Sequence, residues 1–200
     1  MKKIILTALV AMGVAGYGHA AGDAEAGKAK AAMCGACHGA DGNSAAPNFP
    51  KLAGQGEKYL LKQLNDVKSG ERQILEMTGL LDGFNEQDLK DLSAFFASQT
   101  GTVGYADKDK AEMGEQIYRA GIADRGIAAC AGCHSPTGEG NAPAGFPKLS
   151  GQHAAYTVSQ LKAFRDKKRA NDPNGMMRDN AYTLRDDEID AVSSYIQGLH

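Results

Sequence analysis

Two short stretches of this 200-residue sequence, Cys34-Gly35-Ala36-Cys37-His38 and Cys130-Ala131-Gly132-Cys133-His134, are copies of one C-x-x-C-H motif. Together they contain all 4 cysteines of the chain. C-x-x-C-H is the attachment motif of a c-type haem, in which both thiols add to the haem vinyl groups and the adjacent imidazole becomes an axial ligand of the iron. The sequence therefore predicts two covalently bound haem c groups. The thioether residues are Cys34, Cys37, Cys130 and Cys133, and the axial histidines are His38 and His134.

Four cysteines could instead form two disulfides in an exported protein, or one Cys₄ zinc site. The two C-x-x-C halves of a zinc site usually lie about 15–20 residues apart. Here 92 residues separate Cys37 from Cys130. Neither alternative accounts for a histidine directly after each second cysteine, so haem attachment is favoured.

The N-terminus has the pattern of a secretory signal. Lys2 and Lys3 precede an apolar stretch, Ile4–Gly16, and Gly18-His19-Ala20 supplies small residues around a cleavage point. We therefore expect residues 1–20 to be a signal peptide and the mature protein to be periplasmic. An uncleaved anchor is the alternative, but the apolar run is shorter than the ~20 residues that a spanning helix needs.

Composition narrows the classes of partner. The formal net charge of −2 becomes −4 once the two positive charges of Lys2 and Lys3 are removed. This balance argues against nucleic-acid binding and against a polybasic membrane anchor. A domain of ~90 residues with 6% aromatic residues and no tryptophan would have a marginal core by itself. A buried haem would supply the missing apolar volume.

An internal repeat divides the chain. The two haem motifs lie 96 positions apart, and Phe49-Pro50-Lys51-Leu52-Ala53-Gly54-Gln55 recurs 97 positions later as Phe146-Pro147-Lys148-Leu149-Ser150-Gly151-Gln152. Near the end of each half the offset becomes 100, as for Leu89 and Ile189. The sequence predicts a tandem duplication, with a first domain over residues 21–100, a linker over 101–110 and a second domain over 111–200.

Each half has the periodicity of helices, and strand alternation is scarce. A first helix is expected from about Asp23 and Asp107 into each haem motif, with Asp23 as its N-cap in the first half. Middle helices are expected over Glu57–Ser69 and about Ala154–Lys168. The candidate caps of the last helices are Asn85 and Asp186. The predicted fold is all-α, with two haem domains of the same kind.

The sixth iron ligand decides the chemistry, because a methionine fills the site of an electron carrier whereas an open site binds small molecules. Met77 follows His38 by 39 residues, and the offset of 100 places it on Met177. We expect Met77 and Met177 to be the axial ligands. Met176, which needs one further gap in the repeat, is the second candidate for the second haem. Alternatively, one or both methionines are core residues.

Two other histidines remain in the mature chain. His153 replaces Gly56 of the first half and is expected at the surface where a helix starts, and His200 is expected to be solvated. Ligation of an iron by two histidines is the less favoured alternative, because only one half has a spare internal histidine.

Two further features concern the surroundings of the haems. After each axial histidine comes a proline segment, Pro47–Pro50 in the first half and Pro143–Pro147 in the second. Its distance from the histidine suits a backbone carbonyl that accepts a hydrogen bond from the second imidazole nitrogen. The alternative is that these prolines merely shape a loop. A basic run on the second half is expected to be a solvated helix face, with partner docking as the alternative. Its members are Lys162, Arg165, Lys167, Lys168 and Arg169.

The paired C-x-x-C-H motifs, the paired F-P-K-L-x-G-Q motifs, a methionine some forty residues beyond each histidine and the two closing helices resemble the cytochrome c4 family over the whole mature chain. That family consists of two fused cytochrome c domains. The resemblance implies His/Met ligation at both irons and packing of the domains with the haem propionate edges facing each other. It also implies a periplasmic electron carrier, with loose peripheral membrane association in some members, that delivers electrons to a respiratory terminal oxidase.

The expected function is therefore electron transfer between donor and acceptor proteins of a respiratory chain, with no catalytic residue. A dihaem redox enzyme, peroxidase-like or reductase-like, is the alternative and requires one labile axial site. A redox-sensing or structural haem subunit of a larger complex is a third reading of the same motifs.

Overall fold

The computed structural model describes residues 22–200, and the predicted signal peptide over residues 1–20 lies outside the described residues. The described residues form nine α-helices and no β-strand. In chain order these are α1 (Ala24–Lys30), α2 (Gly35–His38), α3 (Glu57–Ser69), α4 (Glu86–Ser98), α5 (Lys108–Ala120), α6 (Ala131–His134), α7 (Ala154–Arg165), α8 (Met176–Ala181) and α9 (Asp186–Gly198). Within residues 22–200, no helix combines the length and the apolarity that crossing a membrane requires.

The same helix packing occurs twice. In the first half α1 crosses α4, and α3 packs against α4; in the second half α5 crosses α9, and α7 packs against α9. Each half has its own apolar core. The first contains Leu60, Leu81, Leu89, Leu92, Phe95 and Phe96, and the second contains Ile117, Tyr118, Ile127, Phe164, Leu184, Ile189, Val192 and Ile196. The predictions of an all-α fold and of a tandem duplication are confirmed.

A glycine lets the first and last helices of each half approach closely. A Cβ added to Gly27 would lie 2.0 Å from the carbonyl oxygen of Asp91, and one added to Gly114 would lie 2.3 Å from that of Ala191. Both contacts involve rigid helix backbone, so the helices would have to separate to admit a methyl group. The two crossings are therefore equivalent, and each depends on the absence of a side chain.

In the first half, one buried carboxylate holds both ends of α1. Asp91 accepts hydrogen bonds from the backbone N–H of Asp23 at 2.9 Å and from the ammonium of Lys30 at 2.5 Å. Asp23 is the N-cap of α1, as predicted, and Lys30 is its last residue. The Asp23 N–H, the Lys30 ammonium and the Gln87 amide lower the pKa of Asp91 to about 2. Asp91 therefore stabilises the crossing only while it is ionised.

Three helix boundaries differ from expectation. Helix α7 ends at Arg165, short of the predicted Lys168, because Lys167 adopts a φ of 58° that cannot continue a helix. The N-cap of α9 is Arg185, and Asp186 is the first helical residue instead of the predicted cap. In the second half α5 ends at Ala120, and the loop over residues 121–130 separates it from the haem motif. The predicted cap Asn85 is confirmed for α4, and Asp107, near which a helix was expected to begin, is the N-cap of α5.

The segment between the halves is held to both of them. The backbone N–H of Thr102 donates to Asn43 at 2.8 Å, and the N–H of Asp107 donates to the hydroxyl of Ser194 at 2.8 Å. The N–H of Gly104 donates to the carbonyl of Gln197 at 3.0 Å. Helix α5 begins at Lys108, so the last three residues of the predicted 101–110 linker are helical.

Replacement of Gly27 by alanine tests the close helix crossing. We expect Gly27→Ala to lower the free energy of unfolding of the haem-loaded protein by about 1–3 kcal/mol, the usual cost of overpacking, because α1 must move away from α4. Gly83→Ala is the matched control, since a Cβ there meets nothing within 4 Å. Denaturant unfolding of both variants gives the comparison, and equal stabilities would contradict the proposed role of the crossing.

Acid titration tests the carboxylate that holds α1. Because the pKa of Asp91 is about 2 in the folded protein and about 3.9 in an unfolded chain, its contribution is complete above pH about 4 and disappears as the pH falls toward 2. The stability difference between wild type and Asp91→Asn should therefore shrink across this range. Asp82→Asn, at an exposed carboxylate, is the matched control. A wild-type advantage over Asp91→Asn that persists unchanged at pH 2 would refute the assignment.

Candidate haem sites

Each C-x-x-C-H motif forms a single helical turn. The first cysteine of each motif, Cys34 or Cys130, caps the short helix and is half-buried. The second cysteine, Cys37 or Cys133, is exposed on the same turn. No disulfide joins any of these four cysteines. Each motif thus presents two thiols and one imidazole from five consecutive residues, as covalent attachment to a single haem requires.

The two motif histidines are buried and hydrogen-bonded in the same way. His38 is 9% exposed and His134 is 7% exposed. The Nδ1 atom of His38 lies 2.9 Å from the carbonyl oxygen of Pro50, and that of His134 lies 2.9 Å from the carbonyl oxygen of Pro147. These bonds confirm the prediction that the proline segments supply the carbonyl acceptors.

These bonds fix the proton position on each ring. A carbonyl can only accept, so Nδ1 carries the proton and Nε2 keeps a free lone pair in the neutral imidazole. Burial lowers the pKa of His38 and of His134, outweighing the opposing effect of the carbonyl, so both rings stay neutral near pH 7. A neutral imidazole with an available Nε2 is the form that binds iron.

Burial also affects the first cysteine of each motif, as it affects the two histidines. Burial raises the pKa of Cys34, and it raises that of Cys130 to about 11. Burial thus disfavours, at these two positions, the thiolate form that binds zinc. Among residues 22–200, no group of three or more His, Cys, Asp or Glu side chains could hold a metal ion. The motifs thus fit a covalently attached haem better than a bare metal ion.

The repeated F-P-K-L-x-G-Q motif builds the wall beside each histidine. Phe49 lies edge-on to the ring of His38, with centroids 6.2 Å apart, and the carbonyl of the next residue accepts from that ring. The glycine of the motif, Gly54, donates its N–H to the carbonyl of Phe96 in the last helix. It has a φ of 67°, which favours glycine. The second copy makes the equivalent contacts through Phe146 and Gly151.

The last residue of each motif bonds to the other domain. The amide of Gln55 donates to the carbonyl of Lys148 at 2.9 Å and accepts from its N–H at 2.8 Å. The amide of Gln152 donates to the carbonyl of Lys51 and accepts from its N–H, both at 3.0 Å. The two domains are therefore joined by four reciprocal hydrogen bonds between equivalent residues, with the pseudo-twofold symmetry of the duplication.

The predicted methionines occupy unequal local structures. Met77 ends a 3₁₀ turn, Leu75–Met77, and packs half-buried against the first core. Met177 lies in the first turn of α8, where the carboxylate of Asp172 accepts its N–H at 2.9 Å, and it packs against the second core. Met176 is 41% exposed. Met77 therefore lies between helices α3 and α4, whereas Met176 and Met177 belong to helix α8.

Two expectations about polar residues need correction. His153 starts α7, as expected, but it is half-buried and its Nε2 bonds to the carbonyl of Ser44 in the first domain at 2.8 Å. Arg169 is not part of a solvated basic face, because its guanidinium reaches Tyr59 and Gln63 across the domain interface. Lys162 and Arg165 pair instead with Asp186. His200 is exposed, as expected.

A polar cluster that the sequence analysis missed fills the domain interface. Its members are three pairs of residues at the repeat offset of 97, namely Tyr59 and Tyr156, Gln63 and Gln160, and Arg72 and Arg169. The guanidinium of Arg72 donates to the Tyr156 hydroxyl at 2.9 Å, to Gln160 at 3.0 Å and to Gln63 at 2.9 Å. That of Arg169 mirrors these bonds. The shared offset of 97 positions was the feature of the sequence from which these pairs could have been identified.

This interface cluster carries excess positive charge. Neither guanidinium forms an ion pair with a carboxylate of residues 22–200, and Asp66 is occupied by Lys62 at 2.5 Å. Burial raises the pKa of Tyr59, but the charges of Arg169 and Arg72 outweigh it, so its pKa lies below the ordinary value. The interface is therefore suited to anionic groups such as haem propionates.

Known proteins are similar to this chain over both of its halves. A family model described as cytochrome c matches the chain twice, over residues 24–100 and 111–200. Cytochrome c4 of Stutzerimonas stutzeri is 57% identical over 100% of both chains. The thiosulfate dehydrogenase electron acceptor of Stutzerimonas stutzeri (strain A1501) is 37% identical, covering 84% of this chain and 80% of its own length.

A solved structure is similar over nearly the same range. The crystal structure of reduced recombinant cytochrome c4 from Pseudomonas stutzeri has a TM-score of 0.89 and 59% identity, covering 90% of this chain and 100% of that one. The match spans both halves and thus includes both sites. The chain belongs to the cytochrome c4 family: it is an electron carrier, not an enzyme, and it binds two covalent haem c groups.

Proposed function

We propose that His38 and Met77 are the axial ligands of the haem attached at Cys34 and Cys37. We propose likewise that His134 and Met177 are the axial ligands of the haem attached at Cys130 and Cys133. The observation that carries this proposal is the matched pair of neutral, buried imidazoles, each with Nδ1 bonded to a proline carbonyl and Nε2 left free to bind iron. The domains are assigned to residues 21–100 and 111–200, joined by residues 101–110.

The packing of the methionines supports Met177 over Met176. Met177 contacts the apolar core of the second domain, as Met77 contacts that of the first, whereas Met176 faces solvent. A thioether that fills the sixth position from inside a domain excludes water and small ligands from the iron. The carboxylate of Asp172 holds the N–H groups of Met177 and Arg178, which orients the start of α8.

The haems supply one-electron Fe(III)/Fe(II) chemistry, and the protein supplies ligands, an apolar surrounding and a docking surface. Membership of the cytochrome c4 family implies that the propionate edges would face the domain interface, where the buried Arg72 and the half-buried Arg169 would offer two positive charges without an ion-paired carboxylate in residues 22–200. The short covalent linker keeps both haems in one particle. This supports transfer of an electron between the two domains.

The proposed setting is the periplasm, after cleavage of a signal peptide over residues 1–20, with electrons passed to a respiratory terminal oxidase. The N-terminal pattern and covalent haem attachment support export. A relative is named as the electron acceptor of thiosulfate dehydrogenase, which supports a role in accepting electrons from another redox protein. The net negative charge of the chain fits association with redox proteins and not with nucleic acid.

Carbon monoxide tests the axial ligands. We expect the reduced wild-type spectrum to be unchanged by carbon monoxide, because a methionine fills each sixth position. Met77→Leu and Met177→Leu should each open one haem, so that half of the haem binds carbon monoxide, while Met176→Leu, the matched control beside Met177, should behave as wild type. Carbon monoxide binding by wild type, or by Met176→Leu in place of Met177→Leu, would contradict the assignment.

Electron delivery tests the proposed partner. Protein released with the periplasmic fraction and reduced beforehand should be reoxidised by membranes that contain terminal oxidases, and cyanide should stop the reaction. Reoxidation that is insensitive to cyanide, or recovery of the protein only from the cytoplasmic fraction, would refute this part of the proposal.

A further inference from the structure

One peptide group beside each axial histidine is bonded at both of its ends. The carbonyl oxygen of Pro50 and the N–H of Lys51 belong to the same planar peptide unit. The oxygen accepts from Nδ1 of His38 at 2.9 Å, and the N–H donates to the Oε1 atom of Gln152 at 3.0 Å. An unbroken chain of hydrogen bonds therefore runs from the histidine of the first domain to a glutamine of the second.

The mirror-image chain exists in the other direction. The carbonyl of Pro147 accepts from Nδ1 of His134 at 2.9 Å, and the N–H of Lys148 in the same peptide unit donates to Oε1 of Gln55 at 2.8 Å. Each glutamine also donates to the carbonyl of the lysine that it contacts, so its amide is held in one orientation. The two chains cross the interface in opposite directions.

Such a chain transmits polarisation. Resonance gives the peptide C–N bond partial double-bond character, so an acceptor at the N–H increases the negative charge on the oxygen of the same unit. Consecutive hydrogen bonds in a low-dielectric surrounding strengthen one another by roughly 10–30% per bond. The glutamine of one domain therefore makes the proline carbonyl of the other a stronger acceptor for its histidine.

We propose that Gln152 is a positioning residue that tunes the haem of the first domain, and that Gln55 tunes the haem of the second domain, each through a single peptide unit. The inference rests on the proposed ligation by His38 and His134. A stronger acceptor at Nδ1 raises the basicity of the axial imidazole, and a more basic ligand stabilises Fe(III). Each glutamine thus lowers the reduction potential of the haem in the domain to which it does not belong.

Because each glutamine is proposed to act on the haem of the other domain, its effect can be distinguished from a general loosening of the domain interface. Gln55→Leu and Gln152→Leu each remove two hydrogen bonds across the joint and one from the N–H of the following residue, Gly56 or His153, so each is the matched control of the other. Leucine has a similar volume and offers no acceptor. A general change in domain packing would affect both haems in both variants alike.

The experiment is a redox titration of the haem-loaded variants followed by NMR, in which the haem methyl signals of each domain are monitored separately. Gln152→Leu should raise the potential of the first-domain haem, and Gln55→Leu that of the second. The ratio of reduced to oxidised haem should rise about threefold, and at 59 mV per tenfold for one electron this corresponds to about 30 mV. The other haem should move much less in each variant.

Three outcomes would overturn the inference: equal shifts at both haems, a shift confined to the haem of the mutated domain, or no shift while the domains remain associated. Failure of the proposed ligation is distinguishable from these, because it would appear in wild type as a haem that is high-spin or binds carbon monoxide. Low-spin variants with uncrossed shifts contradict only the role of the glutamines.

A second measurement needs no variant. Oxidation makes the Nδ1–H of an iron-bound imidazole a stronger donor, which polarises the peptide and strengthens the bond from the lysine N–H to the glutamine. Amide hydrogen exchange at Lys51 and at Lys148 should therefore be slower in the oxidised than in the reduced protein. Exchange at the same rate in both states, or at the rate of an unbonded amide, would contradict the hydrogen-bond chain.

Discussion

The hydrogen bond from each buried motif histidine to a proline carbonyl is the constraint on which the rest of this chain depends. It fixes the tautomer and frees Nε2, and it requires the chain to return to the histidine 12 or 13 residues after leaving it. The positions of the residues after the proline are then fixed by hydrogen bonds. Their N–H groups donate to the carbonyl of Gly42 or Gly138, to the last helix of the same half and to the opposite domain. The contacts of this returning segment are the same in both halves, which accounts for the repetition of the F-P-K-L-x-G-Q motif.

The two halves agree near the proposed haems and differ away from them. The histidine, proline and glutamine contacts repeat with distances within 0.2 Å. At the periphery, Lys148 pairs with Glu139, whereas the ammonium of Lys51 donates to the carbonyls of Thr102 and Gly151. The second half also has the longer loop over residues 121–130. The two haems thus have matched inner contacts and unequal outer electrostatics.

Sequence patterns predicted those parts of the structure that depend on contacts within one half of the chain. The haem motifs, the boundaries of α3, the Asn85 cap and the proline acceptors follow from spacing within one half. The partial burial of His153 and Arg169 could not be predicted in this way. Both side chains bond across the domain interface, and the sequence of one half does not specify which surface of the other half covers them. The close approach at Gly27 also depends on a residue, Asp91, that is distant in sequence. The sequence offset between Arg72 and Arg169 matches that of the repeat. That both arginines bond across the interface could be recognised only once the relative placement of the two domains was known.

The pseudo-twofold joint has the symmetry of a homodimer interface, in which one surface patch pairs with its own copy. As in a homodimer, the glutamine of each domain contacts the lysine of the other, and the arginine of each contacts the tyrosine of the other. Fusion converts a concentration-dependent association into an intramolecular one, for which a short linker gives an effective concentration of about millimolar. The polar bonds of this joint therefore form between two haem domains whose proximity does not depend on protein concentration.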